Sequence, residues 1–257
     1  MINPFAPIGR AVLGMLAEIG RFSAFIGRTV AAAVSPPIFA GQLLRQVMQI
    51  GYFSLPVVGV TAVFIGAALA LNIYVGGARF NAEQFVPNIV VLGITRELGP
   101  VLAGLMLAGR VSAGIAAEIG TMRVTEQIDA MTTLSTDPMR FLVAPRVLAA
   151  VVTLPILVLV ADIIGVMGGY LVATSSLDFN GAIYLRNTFD FLEAADVNLG
   201  LIKAAFFGFI IAAIGAYQGY NSSGGALGVG HAATNAVVGA TVLILASNYL
   251  ITAFYVA

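Results

Sequence analysis

An arginine and a glutamate stand side by side within a long apolar stretch of this sequence. Arg96 and Glu97 have almost purely apolar neighbours over residues 87–108. Neighbouring residues on a helix point about 100° apart, so the two side chains do not pair ideally with each other. If the stretch crosses a membrane, each charge therefore needs its own partner or contact with water. Asp162 and Lys203, in two other apolar stretches, are the candidate partners in a buried charge network.

Two interpretations of this charged pair remain open. The first is a structural network, since buried charges often hold helices in one arrangement. The second is a polar patch in a lipid-binding cavity, where the Arg96 guanidinium meets a lipid phosphate. In that cavity, the candidate lining residues besides the pair are Leu69, Leu71, Asn72, Tyr74 and Leu98. For any single leucine among them, ordinary core packing is the alternative.

A second group of charges lies in AEIGTMRVTEQIDAM, residues 117–131, between two apolar stretches. Gly120 is predicted to end the preceding helix, and Thr121 to cap a new helix over about residues 118–133. One alternative is a solvated turn. A turn needs only a few residues, however, and a short amphipathic helix of mixed charge suits the groove of a partner protein. The residues predicted to contact that partner are Glu118, Arg123, Glu126, Gln127 and Asp129.

The apolar content of the chain indicates the environment of these residues. Of the 257 residues, 60% are hydrophobic and 9% are charged, whereas soluble domains carry about a quarter charged residues. No Asp, Glu, Lys or Arg occurs over residues 46–78, 147–161 or 204–257. Because about 20 apolar residues cross a bilayer as a helix, the chain is predicted to be an all-α polytopic membrane protein.

Five membrane-spanning helices are predicted, and we number them span 1 to span 5. They cover approximately residues 52–76, 87–117, 141–174, 199–219 and 232–256. The motifs Gly165-x-x-x-Gly169 and Gly215-x-x-x-Gly219 are predicted to let helices approach closely, because small residues admit a neighbouring backbone. No internal repeat is present in the sequence.

The region before the first span is amphipathic. Arg10 and Arg21 fall on one face of a helix, and Leu16 falls on the opposite face. This pattern is typical of a helix that lies in the membrane interface. We therefore divide the chain into an N-terminal interfacial region, residues 1–50, and a transmembrane domain, residues 51–257.

The distribution of arginine predicts the orientation. Residues 1–50 contain four Arg, and residues 110–146 contain four more, whereas each connection on the opposite side contains one. Because Lys and Arg concentrate in cytoplasmic loops, the N-terminus and residues 117–131 are predicted to face the cytoplasm. After five crossings, the C-terminus is predicted to lie on the periplasmic side.

Composition excludes several kinds of chemistry. There is no Cys, so disulfides and thiolate metal sites are excluded, and no metal site is predicted. A net charge of +0 gives no basis for nucleic-acid binding. The sequence G-x-x-x-x-G-K-[ST] needs a lysine, and the single Lys203 lies in an apolar stretch. We therefore expect no cofactor in this chain and expect ATP and Mg²⁺ to be bound by another subunit.

Several stretches resemble the MlaE-type permease family, also called YrbE. They are RELGPVLAGLMLAGRVSAGIAAEIGTMRVTEQIDAM at residues 96–131, DPMRFLVAPRVLA at 137–149, GVGHAATNAVV at 228–238 and FIGAALALNIY at 64–74. The resemblance covers roughly residues 45–257. The sequence departs from the family at His231 and Asn235, where Arg is common, and at Asn248, where some members have Asp.

The resemblance implies a permease subunit of an ABC lipid transporter, with residues 117–131 as its coupling helix and lipid bound between two copies near Arg96 and Glu97. The implied partners are a second copy of the chain, a cytoplasmic ABC ATPase dimer, a periplasmic MCE-domain protein and often a small STAS-like subunit. The implied substrate is phospholipid, moved between the inner and outer membranes in a system that serves outer-membrane lipid asymmetry.

Two other functions fit parts of the sequence. An intramembrane enzyme fits poorly, since the motifs H-E-x-x-H and G-x-S-x-G are absent. The alternative is an ion-coupled secondary transporter of a hydrophobic substrate, in which Glu97, Asp162 and Lys203 form an ion relay. Inverted repeats would favour that transporter, and none is found. The sequence therefore predicts a non-enzymatic, homodimeric ABC permease in the bacterial inner membrane.

Overall fold

The computed structural model describes residues 6–36, 39–79 and 82–256, without the side chains of residues 6–11, 83 and 256. Over these residues the chain is helical and contains no strand. In chain order the helices are α1 Ala6–Val34, α2 Ala40–Ile50, α3 Leu55–Ala78, α4 Val86–Val124, α5 Gln127–Thr133, α6 Met139–Ser176, α7 Gly181–Phe191, α8 Ala194–Tyr220 and α9 Gly225–Val256.

Five helical segments are long and apolar enough to cross a membrane. They contain α3, α4, α6, α8 and α9, which are spans 1 to 5, so the prediction of an all-α polytopic protein with five spans is confirmed. Span 2 continues to Val124 and span 5 begins at Gly225, several residues beyond the predicted ends. The reason is that hydropathy marks only the apolar part of a helix, whereas the backbone hydrogen bonds continue into its polar ends.

The two ends of the bundle carry different connections. The short helix α5 lies at one end, which we call the hairpin end. Residues 82–85 and helix α7 lie at the other, which we call the loop end. The largest apolar core joins α4, α6, α8 and α9 and includes Leu107, Leu154 and Phe207. A smaller cluster at the loop end is centred on Val90 and Tyr184.

Close backbone contacts hold the spans together. A Cβ atom added to Gly66 of α3 would lie 1.8 Å from the carbonyl oxygen of Gly165 in α6. A Cβ atom added to Gly215 of α8 would lie 2.7 Å from the carbonyl oxygen of Ser112 in α4. Only glycine permits such short distances between helices. The motifs that begin at Gly165 and Gly215 therefore lie at helix interfaces, as the sequence predicts.

Helix α1 packs against the hairpin end. The rings of Phe22 and Phe25 meet Tyr217 of α8 edge to face, with ring centroids 5.1 and 5.4 Å apart. The Tyr217 hydroxyl donates to Glu18 at 2.6 Å. The side of α1 that faces away exposes Val12, Leu13, Met15, Leu16 and Ile19, each at least half exposed. An exposed apolar face suits a membrane interface, and that location of α1 stays a prediction.

The close approach of spans 1 and 3 predicts the effect of adding one methyl group. Gly66→Ala is expected to lower the free energy of unfolding by about 1–3 kcal/mol, since the new methyl meets a backbone carbonyl that cannot rotate away. Thermal unfolding of the purified protein measures the change. Gly76→Ala is the matched control on the same helix, because open space surrounds its position. Equal unfolding midpoints for the two variants would contradict this packing.

Candidate functional site

The charged pair lies in a distorted part of α4. Residues Gly93–Leu98 form a π-helical turn, and Pro100 follows closely. Proline has no N–H, so Pro100 cannot donate to the carbonyl of Arg96 four residues earlier. The ammonium of Lys203, on α8, donates to that carbonyl at 2.9 Å. The proline therefore opens a backbone acceptor, and a lysine from another span occupies it.

Lys203 also forms an ion pair with Glu97. The Lys203 Nζ lies 2.8 Å from Glu97 Oε1, and the lysine side chain is 0% exposed while the glutamate side chain is 39% exposed. Glu97 accepts two further hydrogen bonds from α9, from Asn248 Nδ2 at 2.9 Å and from Thr252 Oγ1 at 3.1 Å. These bonds tie spans 2, 4 and 5 to one carboxylate.

Arg96 contacts different partners. Its guanidinium lies 3.5 Å from Asp196 Oδ1, on the first turn of α8, and 5.5 Å from the ring centroid of Tyr255. The two members of the pair thus have separate partners, as the angle between neighbouring helix residues requires. We call the following set the polar cluster: Arg96, Glu97, Asp196, Lys203, Asn248, Thr252 and Tyr255. Its two cations and two anions leave it without net charge.

The sequence prediction did not include four members of the polar cluster. Three of them, Asn248, Thr252 and Tyr255, are spaced i, i+4 and i+7 on α9, so they form a polar stripe that could have been read from the sequence. The fourth, Asp196, begins α8 within a capping box with Glu193. Its contact with Arg96 joins residues that are 100 positions apart, and no local pattern indicates it.

Asp162 lies outside the polar cluster. It is 6% exposed, and its Oδ1 has no hydrogen-bond partner among the described residues. A Cβ atom on Gly99 would lie 1.9 Å from this oxygen, so the carboxyl packs against the backbone of α4 just after the charged pair. Asp162 and Lys203 are both buried, but no ion pair joins them in the described part of the chain, because Lys203 donates to Glu97 and to Arg96 instead.

The apolar residues proposed for the cavity do not converge on the polar cluster within one chain. Leu69 and Tyr74 pack into the loop-end cluster of Val90 and Tyr184. Leu71 is 41% exposed on the surface of the bundle. Asn72, also exposed, donates to the carbonyl of Ala68 in its own helix. Leu98 lines a separate narrow cleft between spans 1, 2 and 3.

The predicted break at Gly120 is wrong. Helix α4 continues through this residue to Val124, and Thr121 Oγ1 donates to the carbonyl of Ala117 inside the helix instead of capping a new one. The chain turns at Glu126, which has a left-handed φ of 60°, so α5 is shorter than the predicted helix over residues 118–133. Gly120 remains helical because it packs beside Ser222, whose hydroxyl donates to its carbonyl at 3.3 Å.

Four of the five residues predicted to contact a partner lie at the exposed turn between α4 and α5 or on α5 itself. Arg123 Nη1 pairs with Asp129 Oδ1 across the turn at 2.6 Å, and Glu126 and Gln127 are exposed. Glu118 differs, because it pairs with Arg146 at 2.9 Å, and the Arg146 side chain is 5% exposed. That ion pair joins α4 to α6 near the hairpin end.

The bonds of Lys203 predict a large effect of its removal. Lys203→Met is expected to lower the free energy of unfolding by roughly 3–5 kcal/mol, because the Glu97 carboxylate loses its buried partner. The double variant Lys203→Met with Glu97→Gln removes both charges and is expected to recover part of the loss. Folded yield and thermal unfolding of both variants measure this. Equal stability of wild type and Lys203→Met would show that the ion pair does not hold the spans together.

Comparison with known proteins gives consistent matches over nearly the whole chain. The family described as Permease MlaE matches residues 43–254. A probable ABC transporter permease protein of Rickettsia conorii is 56% identical over 255 residues, 99% of this chain and 98% of the relative. A probable ABC transporter permease protein of Synechocystis is 39% identical over 81% of this chain and 79% of its own. The intermembrane phospholipid transport system permease protein MlaE of Haemophilus influenzae is 31% identical over 98% of this chain and 97% of its own. The chain therefore belongs to the MlaE family of ABC transporter permeases.

Proposed function

We propose that this chain is the permease subunit of an ABC transporter that moves phospholipid between the inner and outer membranes of a bacterium. The polar cluster carries the proposal, because Arg96 and Glu97 are 29% and 39% exposed within a membrane span. Charges exposed at that depth mark a substrate path more often than a lipid-facing surface. The Haemophilus relative is named as a phospholipid transport permease, which supports the same substrate here.

The proposed lipid site lies between two copies of the chain. Helix α9 exposes a row of apolar residues, Val238, Val242, Leu245 and Tyr249, and a second copy that packs near this row encloses the polar cluster. The lipid phosphate then meets the Arg96 guanidinium, and its acyl chains lie against Leu71 and Leu98. In this arrangement the second copy completes a cavity whose residues are dispersed in one chain.

The proposed energy source is a separate cytoplasmic ABC ATPase dimer, which binds ATP and Mg²⁺. The hairpin end presents a docking surface for it, since α5 is anchored by Ile128, 1% exposed, and Leu134, directly after α5, is 79% exposed. An apolar tip flanked by charges suits a groove on a partner. The N-terminus and hairpin end then face the cytoplasm, and the C-terminus and loop end face the periplasm, where an MCE-domain protein binds. A small STAS-like subunit completes the cytoplasmic side.

An ion-coupled secondary transporter is the second candidate function. The observation that favours it is the buried carboxyl of Asp162, whose Oδ1 has no hydrogen-bond partner among the described residues, since such groups often carry protons in membrane transporters. Co-purification separates the two functions: an ABC permease retains its ATPase, whereas a secondary transporter does not. Hydrolysis of ATP that depends on the permease then identifies the first function.

The docking role of the hairpin predicts a loss of ATPase binding when its charges are reversed. Glu126→Lys with Asp129→Lys is expected to weaken the complex about tenfold, because two rim charges together contribute up to about 1–2 kcal/mol. Co-purified ATPase and its ATP turnover are the measurements. Asp190→Lys at the loop end is the matched control, since its carboxylate also lies in an exposed pair, 3.4 Å from Arg186. Unchanged complex yield and turnover in the double variant would rule out docking here.

The proposed cavity predicts that added bulk blocks transport. Leu71→Trp is expected to reduce lipid transfer severalfold in reconstituted vesicles, while the folded yield stays near that of wild type because this position is 41% exposed. Val57→Trp is the control on the same helix at its hairpin end, 48% exposed and far from the polar cluster. Lipid transfer equal to wild type in Leu71→Trp, with no lipid adduct to a photocrosslinker at Leu98, would exclude this cavity.

A further inference from the structure

A second cavity lies at the loop end, and no residue of the polar cluster lines it. The end of α3, the start of α4 and helix α7 with the connection before it line an open cavity of about 360 Å³. Small-ligand sites have volumes of roughly 300–1,000 Å³. The side chains that bear on its chemistry are Tyr74, Gln84, Asp178, Phe179, Tyr184 and Asn187.

Three aromatic rings form part of its wall. The ring of Phe179 lies edge to face with Tyr74, at a centroid distance of 6.0 Å, and with Tyr184, at 6.2 Å. The faces of aromatic rings carry negative potential and attract cations, including the quaternary ammonium of choline. A wall of several such rings is the arrangement that binds an organic ammonium group.

The charge of the cavity favours a cation as well. Among the described residues that line it, Asp178 carries a charge, and none is Lys, Arg or His. Asp178 forms no ion pair in the described part of the chain. Its φ is 56°, a left-handed conformation that Asp adopts more readily than most residues. The fold therefore holds an unneutralised carboxylate beside the aromatic wall.

We propose that this cavity binds the ammonium-bearing headgroup of a phospholipid, ethanolamine or choline, from the adjoining leaflet. The ammonium lies against the rings of Tyr74 and Phe179, and the carboxylate of Asp178 balances its charge. The location favours a lipid over a free compound, because Tyr74 is near the end of span 1 and Pro87 near the start of span 2, at the level of the headgroups. Helix α7 exposes Ile183 at 59% and Phe189 at 71%, which suits burial in that interface.

Site-specific crosslinking tests this proposal. A benzophenone amino acid replaces Ile183, which lines the cavity, in the full chain with its co-purified subunits. The complex is placed in nanodiscs of equal phosphatidylethanolamine and phosphatidylglycerol, irradiated, and analysed by mass spectrometry. We expect adducts with phosphatidylethanolamine to exceed those with phosphatidylglycerol severalfold. In Asp178→Asn the two adducts should become equal, and this variant should fold, because Asn also tolerates a left-handed φ.

One control isolates the site. Asp190→Asn removes the same charge from α7 but not from the aromatic wall, so it should keep the preference for the amine lipid. Equal adducts in wild type, a preference that survives Asp178→Asn, or its loss in Asp190→Asn would overturn the proposal. An adduct with a peptide of another subunit would do so too. An Asp178-dependent adduct with soluble phosphoethanolamine, together with no lipid adduct, would show that the ligand is a free compound, and the lipid assignment would fall.

Discussion

The arrangement of spans 2, 4 and 5 depends on one buried ammonium group. Lys203 donates to the carbonyl that Pro100 leaves open and to the carboxylate of Glu97, and the same carboxylate accepts bonds from α9. A buried lysine without partners would carry a large desolvation cost. The bonds to α4 offset that cost only when the helices lie in this arrangement, so the lysine favours one packing of the three spans over others.

The same contacts leave Arg96 and Glu97 partly exposed, at 29% and 39%, instead of sealed in the core. Helix α4 connects this charged pair to the hairpin end, since it runs without interruption from the loop end to Val124. Its π-helical turns, Gly93–Leu98 and Ala108–Ser112, lie at two levels of the membrane. Such turns often occur at functional sites. Helix α4 is therefore a continuous link between the proposed lipid site and the proposed ATPase-binding end.

The amide of Asn248 decides the charge of the polar cluster. It donates to Glu97 at 2.9 Å. An aspartate at this distance would place a second carboxylate beside the first and require another cation or a proton. In this chain the amide keeps the polar cluster neutral.

The sequence by itself determined the class of the molecule. Long uncharged stretches must be helices that cross a membrane, because the bilayer leaves no other partner for backbone groups, and small residues at regular spacing mark where these helices touch. The need of Arg96 and Glu97 for separate partners also followed from helix geometry. Tertiary structure alone decided which partners they have, since Asp196 and Lys203 are distant in sequence. Asp162 lies in an apolar stretch as Lys203 does, so the sequence could not show that only Lys203 pairs with Glu97. It also kept Gly120 helical and moved the turn to Glu126, because packing against Ser222 outweighs the weak helix propensity of one glycine.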